Sequence, residues 1–160
     1  MSLYNVLSGL NTLHNIKNKV TVLAAELKSD VLKFRNSDFL NAAMAGSALI
    51  ALADGTISAE EKQKMIRFIE SNEALSVFST NEVIAAFQNF VSTLEFDKDI
   101  GNGKAYSALA KIKNNSEAAR LVMRLIISIA AADGDFDASE KIVAVNIARE
   151  LNLNPADFNL

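Results

Sequence analysis

Apolar positions along the chain recur at helical spacing, and two stretches are apolar almost throughout. Residues 36–53 and 115–132 carry few polar groups beyond a start of Asn-Ser-acid, with Arg120 and Arg124 as the charged exceptions in the second. Helices that are apolar on every side belong at the centre of a domain. Small residues at Ala42, Ala43, Ala45, Gly46 and Ala48 allow a neighbour to approach closely. Ser37 and Ser116 are read as the N-caps of these two helices, each followed by an acid that suits the positive helix start. Asp-Gly ends both near Ala53 and Ala132, and Gly55 and Gly134 suit a left-handed stop. New helices then begin at Ser58 and Asp137. Ser58-Ala59-Glu60-Glu61 is a capping box, and Asp137-Ala138-Ser139-Glu140 is its Asp-headed version. Ile57 and Phe136 are expected to pin the turns to the core.

This likeness is a repeat. Residues 36–62 align without a gap on residues 115–141, at an offset of 79, and 11 of the 27 pairs are identical. An internal duplication follows, with units at about 36–70 and 115–149 expected to be related by a pseudo-two-fold axis. The rest is helical by the same reading. Val83, Ile84, Phe87, Phe90, Val91 and Leu94 step by three and four, predicting an amphipathic helix over 81–95 with Thr80 as cap. Gly101 and Gly103 are read as breakers before a helix near 104–113. Asn154-Pro155 starts a last short turn. Val6, Leu10, Leu13, Val20, Leu27, Val31 and Phe34 form a near-heptad stripe interrupted by Lys17, so residues 1–35 form one long helix or two shorter ones. The expected fold is an all-α compact bundle of about seven helices. Residues 1–35 form an N-terminal amphipathic segment, and 36–160 the duplicated domain.

Composition narrows the chemistry. Gly and Pro number six and one in 160 residues, too few for a hairpin-rich β fold. Cys is absent, which excludes disulfides, thiol chemistry and iron–sulfur clusters. With one His, His14, zinc and copper sites are disfavoured, and His14 reads as a half-buried helix residue rather than a base. A single His also sets aside a Ser-His-Asp triad. Asp99-Ile100-Gly101-Asn102-Gly103-Lys104 departs from a phosphate loop, because Lys98 and Ala105 stand where Gly and Ser or Thr are needed.

The formal charge is −3, which argues against general nucleic-acid binding. Residues 1–35 are nonetheless net +3 through Lys17, Lys19, Lys28, Lys33 and Arg35. They are expected to pack as an ordinary helix through Leu10, Leu13, Val20 and Leu27, or else to touch an anionic membrane surface or an acidic partner. No secretory signal is apparent, and the uncharged stretch of 15 residues from Phe39 to Ala53 is too short to span a bilayer. A soluble intracellular protein is expected.

Asp54 and Asp133 are the residues that helix capping does not explain. Each ends an apolar helix, where the dipole disfavours an acid. One reading is an Asx-type turn, in which each Asp accepts N–H bonds from the start of the next helix. The other is a cation held by hard oxygens from Asp54, Glu61, Asp133 and Glu140, with Asp135 and Asp137 as further donors. Oxygen ligands select Ca²⁺, Mg²⁺ or Mn²⁺, and Ca²⁺ tolerates flexible turns best. The Gly and Glu positions do not match an EF-hand loop.

Residues 54–66, the Asp133-Gly134-Asp135-Phe136-Asp137 turn and the ending Asn154-Pro155-Ala156-Asp157-Phe158 resemble the bacterial tellurite-resistance TerB family. The resemblance covers about residues 36–160 and is weak before them. It implies a cytoplasmic, all-helical stress-response protein with no catalytic reaction. It implies a proposed metal site that carries over onto Asp54, Glu61, Asp133 and Glu140. It also implies partners of the same system: the integral membrane protein TerC and calcium-binding TerD-type proteins.

Overall fold

The computed structural model describes residues 25–132, 134 and 136–160. The apolar positions expected at Val6 to Val20, together with His14, Lys17 and Lys19, lie outside the described residues, as do Asp133 and Asp135. The described chain is all-α. After a helical stretch at residues 25–32 come α1 (Ser37–Ala51), α2 (Ala59–Ser71), a 3-10 turn (Ala74–Val77), α3 (Thr80–Phe96), α4 (Lys98–Ala110), α5 (Ser116–Ala130), α6 (Ala138–Glu150) and a final 3-10 turn (Pro155–Phe158).

Helix α1 is the axis of the bundle. Every residue from Ala42 to Ile50 is buried, because α3, α4, α5 and α6 all pack on it. Its one buried polar side chain, Ser47, donates its hydroxyl to the Ala43 carbonyl at 2.8 Å, so no polar group is left unpaired there. At Gly46 the side chain of Ile126 on α5 occupies the space a Cβ would need. The small residues of α1 therefore admit α5. Helix α5 is buried on one side through Leu121, Val122, Met123, Leu125, Ile126 and Ile129, whereas Arg120 and Arg124 face water.

The bounds of the first helix pair recur 79 residues later, since Ser37–Ala51 maps onto Ser116–Ala130 and Ala59–Ser71 onto Ala138–Glu150. Both Asp-Gly glycines have positive φ, +98° at Gly55 and +79° at Gly134. The surroundings differ: α3 and α4 lie mainly against the first pair, through α1.

Three local expectations are corrected. The caps of α1 and α5 are Asn36 and Asn115, whose side chains accept the amides of Phe39 and Ala118 at 2.9 and 3.1 Å. Ser37 and Ser116 are the first helical residues instead, since an Asn side chain serves as well at the cap. Helix α3 is preceded by Ser79 rather than capped by Thr80. Helix α4 starts at Lys98, six residues earlier than expected. The Asp97 carboxylate accepts the amides of Asp99 and Ile100 at 2.9 and 3.0 Å, which closes the helix start ahead of both glycines. Gly101 is a packing residue, for its Cα faces the backbone of Leu94 on α3.

The basic segment reaches the domain at its end. Val31 is fully buried, Leu27 and Phe34 pack against the core, and the Phe34 ring stacks on Phe39 at 6.0 Å. The Pro155–Phe158 turn anchors the other end, with Phe158 against the core and Asp157 3.5 Å from Arg120.

The two glycines of α4 should respond oppositely to alanine. A Cβ at Gly101 would lie 2.5 Å from the Leu94 Cα and 2.8 Å from its N, and backbone cannot yield cheaply. Gly101→Ala should cost about 1–3 kcal/mol. A Cβ at Gly103 meets nothing within 4 Å, so Gly103→Ala should stabilise by about 0.5–1 kcal/mol. Thermal melts should show a fall of roughly 2–10 °C for the first and a rise of roughly 1–4 °C for the second.

Candidate functional site

Between the Asp-Gly turn after α1 and the start of α6 lies a cleft of about 300 Å³. Ile50, Ile57 and Ala130 contribute apolar surface to it, and Met65 and Phe68 line it from α2. Four carboxylates also line it: Asp54 and Glu61 from the first turn, Asp137 and Glu140 from the second. Acids from both turns therefore line one cleft.

Local hydrogen bonds explain each acid's position. Helix α1 stops at Ala51, so Asp54 lies beyond the last turn, where the helix dipole has faded. Gly55 takes positive φ, and its amide returns to the Leu52 carbonyl at 2.9 Å. Asp54 Oδ1 then accepts the Thr56 amide at 3.1 Å, an Asx turn. Ile57 is buried and pins the turn, while Phe136 packs partly buried against the core in the second copy. Ser58 and Glu61 form the expected capping box: Ser58 Oγ accepts the Glu61 amide and Glu61 Oε2 accepts the Ser58 amide, both at 3.1 Å.

In the second copy Asp137 Oδ1 accepts the Glu140 amide at 2.8 Å and the Ser139 hydroxyl at 2.7 Å. These bonds, the Glu140 amide foremost, hold the exposed Asp137 carboxyl below the usual carboxylate range.

Of the four acids expected to form the site, Asp54, Glu61 and Glu140 share the cleft, and Asp133 lies outside the described residues. Asp137, expected only as an additional donor, lines the cleft directly. Among the described residues no three acidic or His side chains are gathered closely enough to hold a metal ion. The donor chemistry still suits a hard cation. Asp54 and Glu61 each commit one named oxygen to a backbone amide, and the remaining oxygen of each carboxylate can accept another bond.

Sequence reasoning missed Lys64, a cation lining this acidic cleft, with its ammonium 5.8 Å from the centre of the Phe68 ring. The signal was present in the helical spacing, because Glu61, Lys64, Met65 and Phe68 fall on one face of α2.

With this geometry in place, the comparisons with known proteins decide the family. The family described as "Tellurite resistance protein TerB" matches residues 40–160. The chain belongs to the TerB family. A TerB relative from an Alcaligenes species, described as "Tellurium resistance protein TerB", is 39% identical over 110 residues, covering 69% of this chain and 90% of the relative. No solved structure matches the chain significantly. The TerB match covers both acidic turns. No helix among the described residues is long and apolar enough to cross a membrane.

Acid titration should expose the cap at Asp137. Its folded pKa is depressed, so its stabilisation is present above the unfolded value of about 3.9 and is lost as pH falls through the folded value. Asp137→Asn keeps a good cap acceptor without the titrating charge. Melting curves from neutral to strongly acidic pH should show the variant losing less stability than the wild type below about pH 4. Asp137→Ala should melt below Asp137→Asn at neutral pH.

Proposed function

We propose that this TerB-family chain is a non-enzymatic, cation-binding protein of the tellurite-resistance response that works in the cytoplasm through partner proteins. The observation that supports this most is that acids from two turns 79 residues apart line one cleft. Asp54, Glu61, Asp133 and Glu140 are the proposed ligands, with Asp137 as an additional donor. The ion is Ca²⁺ in preference to Mg²⁺ or Mn²⁺, since carboxylates on separate turns suit an irregular oxygen shell better than a strict octahedron. A bound cation would neutralise facing carboxylates and tie the two repeats together. The proposed partners are a TerC-like membrane protein and TerD-like proteins, as the family resemblance implies. Peripheral membrane contact through residues 1–35 is part of the same proposal, and nucleic acid is not. Its support is the net +3 of that segment.

A second reading has its own observation. Asp54, Glu61 and Asp137 each accept a backbone amide, so the turns serve as caps without any ion. The chain is then a metal-free helical adaptor.

Thermal melting with and without divalent ions separates the two. A cation at a hundred times its dissociation constant should add about 2.7 kcal/mol, or roughly 5–10 °C for a domain of this size. Asp54→Asn, Asp133→Asn and Glu61→Gln should lose that rise while melting normally in chelator, because Asn and Gln preserve the turn and capping bonds. A wild-type curve unchanged by millimolar Ca²⁺, Mg²⁺ or Mn²⁺ leaves the adaptor reading. Liposome flotation addresses the membrane contact: anionic vesicles should carry the full chain at low salt and should not carry a chain lacking residues 1–35.

A further inference from the structure

At the corner where α3 meets α4, the apolar pattern points outward. Phe96, the last residue of α3, is 86% exposed, and Ile100, one turn into α4, is 51% exposed. An aromatic ring so fully in water at a helix end contributes nothing to the core of its own chain. Ile100 also lines a groove of about 430 Å³, with Phe90 and Ala108 as its other apolar lining and Lys104 and Lys111 as its charges. Lys104 lies in α4 and Lys111 is its C-cap, seven residues on, so both fall on the same side of the helix. Neither has a carboxylate within ion-pair distance among the described residues.

The charges around the protruding ring have the opposite sign. Residues 95–99 hold three carboxylates, Glu95, Asp97 and Asp99, against one ammonium, Lys98. Glu95 is paired with Lys62 at 2.7 Å, and Asp97 caps α4, which leaves the exposed Asp99 side chain without an ion-pair partner among the described residues. The corner thus carries an apolar knob with an acidic flank and, reached through Ile100, a partly apolar groove with two lysines. The carboxylates beside Phe96 disfavour an anionic membrane surface as the occupant. A second copy of the chain supplies both the ring and the acids that the groove lacks.

We propose that the α3–α4 corner is a self-association surface, in which Phe96 of each copy enters the groove of the other and Asp99 faces Lys104 and Lys111. Because knob and groove are on the same corner, the exchange closes about a two-fold axis and gives a dimer rather than a filament. The proposal does not rest on the cation reading, since the groove and the acidic cleft share no residue.

Sedimentation velocity of the full chain at low salt, from micromolar to high-micromolar concentration, tests it. The mass should rise from 17.3 kDa toward twice that value. Phe96→Ser should stay monomeric over the whole range while melting at the wild-type temperature, since an exposed residue is changed. Asp99→Lys alone and Lys104→Glu alone should each weaken association, and the two combined should restore it, because the swap rebuilds opposite charges across the interface. A chain that remains monomeric at low salt overturns the proposal, as does a dimer that survives Phe96→Ser. Binding of anionic vesicles through Phe96 by a monomeric chain would assign the corner to a membrane instead, and also overturns it.

Discussion

The bundle depends on one helix that has no solvent-facing side over most of its length. Helix α1 is buried continuously from Ala42 to Ile50, and such a helix is stable only when neighbours cover every side. Four helices do so. The closest approach of α5 is at Gly46, where Ile126 fills the volume of a missing side chain. Interiors are packed as tightly as organic crystals, so that meeting of backbone and side chain fixes where α5 ends.

The cleft follows from that placement. Each Asp-Gly turn is a helix stop built from local bonds and would form on its own unit. Only the packing of α5 on α1 brings both turns to one end of the bundle, with Ile50 and Ala130 close to the same cleft. The carboxylates then face a shared space while still engaged in turns and caps. A carboxylate so engaged keeps acceptor capacity, because it has more lone pairs than a single amide can use.

Much of this was legible in the residues, and the exceptions have physical causes. The paired helices were visible because apolar runs end at Asp-Gly and restart at capping boxes, which are local signals. The start of α4 was not, because a glycine reads as a breaker unless the facing backbone is known. Gly101 is in the helix because Leu94 leaves no room for a Cβ. The Asn36 and Asn115 caps were displaced by one residue because Asn and Ser in succession are both good caps. That Asp54, Glu61, Asp137 and Glu140 line one cleft depends on interhelical packing, which spacing along the chain does not encode. Lys64 was readable from the face it shares with Phe68, four residues on in α2.

The likeness of the two halves in sequence and helix bounds stops at their surroundings. Ala45 and Arg124 occupy equivalent positions 79 residues apart, and so do Asn41 and Arg120. Ala45 is completely enclosed, whereas Arg124 is at the surface, because α3 and α4 cover the first copy and leave that side of the second open. Writing the second copy's sequence into the first would bury an unpaired guanidinium at the centre of the bundle. Writing the first into the second would expose a helix with no polar side. The two halves are thus not interchangeable, because each helix sequence fits only the neighbours that pack on it.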